Sequence, residues 1–231
     1  MRYRVLATDY DGTLATHGKV APSTVAALRE LVAGGRQAIL VTGRLLHEIR
    51  QICDGIELFD VVVAENGALM WSEATGTQAL ASPIPLDLVA ILRRRGVTPL
   101  NVGRVICSTW SDHEEAVREA ASELNLDVTL VHNKGSLMIL PADVDKATGL
   151  DAALRLLRER REAVVAVGDA ENDLPLFAAS GCSAAVANAL DVVKGSARIL
   201  LANSHGAGVE ELIHMLDDDL NSVTEGVSQA G

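Results

Sequence analysis

The chain has 231 residues, which is enough for one large domain or for one domain with a small second one. Its residues are 48% apolar but only 3% aromatic, so the core must consist mainly of Ala, Val, Leu and Ile, as is usual in α/β packing. The net charge of −11 disfavours non-specific binding to nucleic acids and to membranes.

The first 80 residues alternate short apolar runs with helical patterns, which predicts parallel βαβ units followed by a hairpin. A helix should open at Pro22, because proline suits the first helical turn, and it should close at Gly34-Gly35. The other elements predicted here are buried strands at 4–9, 37–42 and 60–64, a helix at 44–53 and the hairpin at 68–80.

The pattern changes between residues 83 and 141, where helices mix with strands that suit antiparallel pairing. The turn signal Asn133-Lys134-Gly135 joins the last two of these strands. The segment therefore predicts a small α+β module inserted into the larger fold. Its predicted elements are helices at 86–95 and 112–124 and strands at 103–109, 127–132 and 136–140.

The βα alternation returns after Pro141 and continues to residue 216. The predicted elements are helices at 146–160, 172–179, 189–195 and 207–216 and strands at 163–167, 182–187 and 197–201. We therefore expect an α/β fold with a parallel central sheet. Its predicted parts are a Rossmann-like core at 1–82 and 142–216, an inserted cap at 83–141 and a loose acidic tail at 217–231.

The chain carries no sign of a disulfide framework or of a membrane segment. Its three cysteines are far apart and form no CxxC pair. The apolar run at the N-terminus is too short for a signal peptide, and no stretch of 18 apolar residues occurs. These features predict a cytoplasmic protein with reduced thiols.

Polar side chains follow the predicted parallel strands, where ligands of open α/β sheets bind. Several of these groups are acidic and would repel one another unless a cation joined them, and Mg²⁺ prefers such oxygen ligands. We call the edge of the sheet at the carboxyl ends of these strands the rim. The groups expected there are Asp9, Asp11, Thr42, Gly43, Arg44, Glu65, Asn66, Lys146, Asp169, Asn172 and Asp173.

Phosphoryl transfer is a chemistry that this set supplies. The Asp9 carboxylate can attack phosphorus, and Asp11, two residues on, can move the proton. Thr42 and the Gly43 amide would hold phosphate oxygens, and Lys146 would offset their charge. We further expect Thr13 to orient Asp11. Arg44 would either pair with a carboxylate or touch the substrate, and the sequence leaves both open.

Four segments in this order, DYDGT, VTGR, the lysine of DKATGL and GDAENDLPLF, resemble the motifs of the haloacid dehalogenase-like (HAD) phosphohydrolase superfamily. ENGA at 65–68 and the insertion point to its Cof-like branch with a type IIB cap. The resemblance spans residues 5 to about 214.

The resemblance also implies roles for individual residues. Asp9 would be the nucleophile, and Asp11 the general acid and base. Thr42 and Lys146 would bind phosphate, and Asn172 is a further candidate contact. Mg²⁺ would bind the Asp9 carboxylate, the backbone carbonyl of Asp11 and Asp169, with Asp173 supporting the metal through water or from behind its ligands.

The resemblance thus predicts a Mg²⁺-dependent phosphatase that acts on a small phosphorylated metabolite, either a sugar phosphate or a phosphoglycolate-like acid. Two alternatives stay open: a phosphotransferase or phosphomutase on the same site, and a non-catalytic regulatory module. The sequence does not give the oligomeric state. The cap residues that could select the substrate are Arg104, His113, His132, Asn133 and Lys134.

Overall fold

A computed structural model describes residues 2–217. All of the predicted tail except Asp217 lies outside the described residues. The strands are β1 Val5–Thr8, β2 Gln37–Val41, β3 Val61–Ala64, β4 Leu69–Ser72, β5 Gly76–Ala79, β6 Asn101–Val102, β7 Cys107–Trp110, β8 Val128–Asn133, β9 Ser136–Pro141, β10 Val164–Gly168, β11 Cys182–Ala185 and β12 Ile199–Leu200. The helices are α1 Pro22–Ala33, α2 Leu46–Ile52, α3 Leu86–Arg94, α4 Glu114–Glu123, α5 Lys146–Leu157, α6 Leu174–Ala178, α7 Asp191–Ser196 and α8 His205–Asp217.

The large sheet has the strand order β12-β11-β10-β1-β2-β3-β4-β5. Its first six strands are parallel, and β4 and β5 extend it as an antiparallel hairpin. Within the parallel part, the order is that of a doubly wound Rossmann sheet, and the winding direction reverses between β1 and β10. Thr8 is in register with Val167 at this point, so the residues that follow both strands meet at one crevice.

The parallel strands are short apolar runs because both faces of the sheet are covered. All residues of β1, β3 and β10 are buried. Valines dominate these strands, and their branched side chains suit a strand buried on both faces. The α/β class and the parallel central sheet predicted from the sequence are therefore confirmed.

A second, antiparallel sheet has the order β6-β7-β9-β8. Helices α3 and α4 cover it and enclose a separate apolar cluster, which includes Leu88, Leu92, Val117, Leu137 and Ile139. The predicted α+β character of the insertion is thus confirmed. Its boundaries at residues 83 and 141 stay a prediction.

Two of the predicted elements begin later in the structure than the sequence pattern indicates. The strand expected at 103–109 begins only at Cys107, since the amides of residues 104–106 donate to the carboxylate of Glu65 instead of to a neighbouring strand. The helix expected at 172–179 starts as a 3₁₀ turn over Glu171–Asp173 and becomes α-helical only over Leu174–Ala178.

No helix within residues 2–217 has both the length and the apolar character needed to cross a membrane.

Candidate active site

Asp9 lies where β1 ends, at the point where the winding of the sheet reverses. Its amide donates to the carbonyl of Val167 at 3.0 Å, which continues the pairing of β1 with β10. The residue is 6% exposed, so its carboxylate is almost fully removed from water. An ionised carboxylate in such a place needs a partner of opposite charge.

Lys146, the first residue of α5, is that partner. Its side chain is fully buried, and Nζ lies 2.5 Å from Oδ1 of Asp9 and 2.6 Å from Oδ1 of Asp173. Asp145 caps the helix by accepting the amide of Thr148 at 2.8 Å. Gly67 lets the helix start approach the loop after β3, since a Cβ on it would lie 1.8 Å from the carbonyl oxygen of Asp145.

The charges of this cluster depend on one another. Burial disfavours the ammonium of Lys146, but the carboxylates of Asp173 and Asp9 outweigh it and raise the pKa of Lys146. Burial also raises the pKa of Asp9, and the charges of Asp173 and Asp169 add to this rise while Lys146 opposes it. The positive charge of Lys146 therefore stabilises the ionised form of Asp9 in the protein interior.

Asp173 fixes the loop that follows β10. Its Oδ2 accepts the amides of Asp169 and Ala170 at 2.9 and 3.0 Å, while its Oδ1 is held by Lys146. Both of its oxygens are thus occupied by groups of the chain. This arrangement suits a residue that positions the metal ligands without binding the metal itself, which is one of the two roles that the resemblance implied for Asp173.

Asp169 is fully buried and is held from two sides. The hydroxyl of Thr13 donates to its Oδ1 at 3.0 Å, and the ammonium of Lys134 contacts its Oδ2 at 2.5 Å. Burial raises the pKa of Asp169, although Lys134 opposes this. The expectation that Thr13 orients Asp11 is wrong, because its hydroxyl is turned toward β10 and serves Asp169.

Carboxylates of Asp9, Asp169 and Asp173 form a group that could hold a divalent cation. Each offers an oxygen, and these oxygens lie within 4.8 Å of one another in buried surroundings. Mg²⁺ takes oxygen ligands and is commonly bound through one or two carboxylates. The donor set therefore fits Mg²⁺. Asp9 and Asp169 are the direct candidates, because Asp173 is held by two backbone amides and a fully buried ammonium, whereas the half-exposed Lys134 can leave Oδ2 of Asp169.

Asp11 lies apart from this group and pairs with Arg44. The Arg44 guanidinium donates from Nε and Nη2 to the two Asp11 oxygens at 2.5 and 2.7 Å. Both side chains are partly exposed, at 39% and 33%. Of the two roles that the sequence left open for Arg44, the structure shows the carboxylate pair. The two aspartates of the DYDGT segment thus have different surroundings, one buried against Lys146 and one at the rim.

Thr42 and Gly43 follow β2 beside this pair. Thr42 is 1% exposed, its amide continues the sheet to Val63, and its hydroxyl accepts the amide of Arg44 at 3.1 Å. The cap covers Gly43, because a Cβ at this position would lie 3.1 Å from Sδ of Met138 on β9.

Asn172 lies between the core and the cap. Its Nδ2 donates to Oδ1 of Asn66 at 3.1 Å, and its own Oδ1, although buried, has no hydrogen-bond partner within residues 2–217. Both asparagines line a cavity of about 290 Å³ that strand β8 of the cap closes from the other side. Asn172 is thus at the core–cap boundary with a polar atom to offer, and its contact with phosphate stays a prediction.

Among the cap candidates within the described residues, Lys134 is the one whose side chain reaches the carboxylates. His113 contacts the carbonyl of Thr98, and His132 contacts Ser111 and Glu114 within the cap. Arg104 is exposed and touches the core through its amide. The buried Oδ1 of Asn133 has no hydrogen-bond partner within residues 2–217.

Glu65 was expected at the rim without a specific role, and the structure shows that it ties the cap to the core. Its carboxylate is 1% exposed and accepts the amides of Arg104, Val105 and Ile106 at 2.8 to 3.1 Å. Its own amide donates to the carbonyl of Arg44. A buried-strand end followed by an acidic residue and Asn-Gly was the available signal, but its partners lie about 40 residues away along the chain.

Asn188 and His205 were not among the residues expected at the site. The side chains of Asn188 and His205 contact the carbonyl oxygen of Gly12 at 2.7 and 3.0 Å. They therefore fix the turn between Asp11 and Thr13. Neither residue stands in a motif, so no local pattern pointed to them.

The fold and the site together define an α/β protein with a Rossmann-like core and an inserted cap, whose acidic site suits a metal-assisted reaction. The family model of the haloacid dehalogenase-like hydrolases matches residues 6–95 and 93–213. The chain belongs to this family. The predicted family membership and the predicted hydrolase class are thereby confirmed.

Similar proteins cover nearly the whole chain. The phosphoglycolate phosphatase of Nitrosopumilus maritimus is 29% identical over 96% of this chain and 100% of its own length. That of Methanothrix thermoacetophila is 31% identical over 91% and 96%. A crystal structure from Thermoplasma acidophilum has a TM-score of 0.77 at 18% identity, covering 94% of this chain and 99% of the other. A HAD subclass IIB sugar phosphatase has a TM-score of 0.75 at 17% identity, covering 93% and 99%. These two structures share the fold.

Proposed function

We propose that the protein is a Mg²⁺-dependent phosphomonoesterase that works through an aspartyl-phosphate on Asp9. The observation that carries this proposal is the buried contact of Lys146 with both Asp9 and Asp173. A carboxylate that is desolvated, held by a fixed cation and placed at the crevice of a Rossmann sheet suits a nucleophile for phosphorus.

In the first step, an oxygen of Asp9 forms a bond to phosphorus while the bond from phosphorus to the ester oxygen breaks. Asp11, which starts the cycle protonated with one oxygen released from Arg44, gives its proton to that departing oxygen, so that an alcohol leaves. In the second step, water attacks the phosphorus of the aspartyl-phosphate and loses a proton to Asp11. The Asp9–phosphorus bond breaks, inorganic phosphate leaves, and the starting state returns.

The surrounding residues supply position and charge, which are the main requirements of phosphoryl transfer. Lys146 holds Asp9 in place, and Arg44 holds Asp11 through two hydrogen bonds. Thr42 and the Gly43 amide are the proposed phosphate contacts. When bound, Mg²⁺ would be held by Asp9 and Asp169 and would neutralise charge on the phosphoryl oxygens.

The substrate that we propose is a small phosphorylated acid. Relatives that match over 96% to 100% of their own length are named phosphoglycolate phosphatases, and this supports a substrate of that size and charge. The cap lies directly over the site, with Met138 against Gly43, and this limits the space for a leaving group. A sugar phosphate is the alternative substrate that the same site could accept.

Phosphate release tests the proposal. We expect the protein to release phosphate from 2-phosphoglycolate or from a sugar phosphate with MgCl₂, and to stop when EDTA removes the metal. Asp9→Asn should abolish release, whereas Asp143→Asn should not, because Asp143 is exposed and stands in a second Asp-x-Asp pair outside the site. Absence of release across a broad panel would favour a non-catalytic module. Transfer to an acceptor alcohol instead of water would favour a phosphotransferase.

A further inference from the structure

Resting on the proposed function, we propose that Lys134 of the cap selects substrates that carry a second anionic group, such as a carboxylate next to the phosphoester. This residue would be the specificity-determining contact between the cap and the part of the substrate that leaves. Its ammonium would bind the carboxylate of a phosphorylated hydroxy acid, and a neutral leaving group would gain nothing from it.

The backbone of the cap brings Lys134 to the site. The residue occupies the turn between β8 and β9, with φ +49° at Lys134 and +85° at Gly135. This tight turn projects the side chain across the core–cap boundary, and the ammonium lies 2.5 Å from Oδ2 of Asp169. On the same hairpin, Met138 of β9 lies over Gly43, so the hairpin contacts the rim at a second point.

The other two cations at this site are already committed to aspartates. Lys146 is fully buried between two carboxylates, and Arg44 donates hydrogen bonds from two nitrogen atoms to Asp11. Lys134 differs from both, since it has a single carboxylate contact and its side chain is 48% exposed. It can therefore turn toward a ligand when Mg²⁺ is bound, since the metal would then compensate the buried charge of Asp169.

The location of Lys134 defines the chemical group that it would bind. Asp9 receives the phosphoryl group, so the leaving part of a substrate must extend from Asp9 toward the rim and the cap. Gly12 lies under this path, where a Cβ would be 2.6 Å from Nζ of Lys134. The other charged side chains described at the rim are aspartates and the two cations already paired with them, Arg44 and Lys146, so a cation from the cap is needed to accept an anionic leaving group. A short acid would bring its carboxylate to Lys134.

The test compares two substrates of equal length, 2-phosphoglycolate and 2-hydroxyethyl phosphate, in which an alcohol replaces the carboxylate. The variants are Lys134→Met, which keeps the length without charge, and Lys134→Arg, which keeps the charge. Arg118→Met is the matched control, because it removes one cap cation that pairs with Glu114 on α4.

We expect the wild-type protein to prefer 2-phosphoglycolate. Lys134→Met should lower kcat/KM for this acid by about 10- to 100-fold, mainly through KM, since a charge-assisted hydrogen bond is lost. For 2-hydroxyethyl phosphate, the change should stay within about 3-fold, so the preference disappears. Lys134→Arg should restore most of it, and Arg118→Met should leave it unchanged.

Two results would overturn the inference. Equal losses on both substrates would mean that Lys134 only holds the cap on Asp169, and an unchanged preference would mean that the acid binds elsewhere. In either case, the wild-type turnover would leave the proposed function standing. If the wild-type protein released phosphate from neither compound nor from the sugar phosphates, the proposed function itself would fail, and the inference with it.

Discussion

Lys146→Met is the substitution that probes the buried ion cluster most severely. Methionine has a similar length and fits an apolar site, so the change removes the charge with little loss of volume. In the wild-type protein the ammonium lies 2.5 Å from the carboxylate of Asp9 and 2.6 Å from that of Asp173. Without it, both carboxylates stay buried and close to Asp169 and lack their cationic partner. We expect the variant to fold less stably in the absence of metal and to lose turnover in the presence of MgCl₂.

The magnitude follows from the burial of the cluster. Removing one partner of a buried pair costs about 3–5 kcal/mol, because the remaining charge is left uncompensated. Lys146 has two such partners, and its side chain is 0% exposed, so the upper half of this range applies. Many domains have a total stability of only about 5–15 kcal/mol, so the loss should be large in any unfolding experiment.

Urea unfolding in EDTA, followed by circular dichroism, measures the loss. Lys19→Met is the control, because Lys19 is an exposed lysine, and its cost should stay within about 0.5 kcal/mol. Adding Asp173→Asn to Lys146→Met should recover about 1–2 kcal/mol, since it removes one of the stranded charges. If Lys146→Met cost no more than Lys19→Met, the ammonium would not be holding the cluster together.

Three further substitutions test the cap connection, the approach of α5 and the Asp11 pair. Glu65→Gln keeps the size of the side chain but removes the charge that accepts three amides, and it should cost about 1–3 kcal/mol of unfolding free energy; a neutral result would contradict the role of the carboxylate. Gly76→Ala is the control for Gly67→Ala: its turn is open, so it should lower the free energy of unfolding only by the roughly 1–2 kcal/mol of an alanine with positive φ. Gly67→Ala should lower it clearly more, because its Cβ would meet the carbonyl oxygen of Asp145. Equal losses would refute the close approach of α5. Arg44→Lys cannot hold both oxygens of Asp11 and should lower kcat for phosphate release about 10-fold, whereas wild-type kcat would show that the pair is dispensable.

Most of the fold could be predicted from local patterns. The buried runs at β1, β2, β3 and β10 are continuous and apolar, and each is followed by polar residues, so their direction and the rim at their ends could be deduced. The segment before β7 could not, because its amides are used by Glu65, a residue about 40 positions earlier. A contact of this kind depends on tertiary structure and leaves no periodic pattern in the sequence.

The site was predictable where residues follow strands, and less so where side chains choose among partners. Asp9, Lys146, Asp169 and Asp173 come together as expected from the ends of their elements. The partner of Thr13 was not predictable, because Asp11 is its neighbour in the sequence, whereas Asp169, which its hydroxyl contacts, is 156 positions away and is brought near only by the pairing of β1 with β10. The selection of Lys134 among five cap candidates likewise required the position of the β8–β9 turn.

The central claim is that Asp9 carries the phosphoryl group during turnover. Acid quenching of the wild-type protein with substrate and MgCl₂, followed by peptide mass spectrometry, tests it directly. We predict the mass gain of one phosphoryl group on Asp9 at early times, with greater accumulation in Asp11→Asn if the second step is slowed more than the first, and none in Asp9→Asn. Turnover by Asp9→Asn, or continued wild-type turnover with the phosphoryl group found on a different residue, would contradict the account.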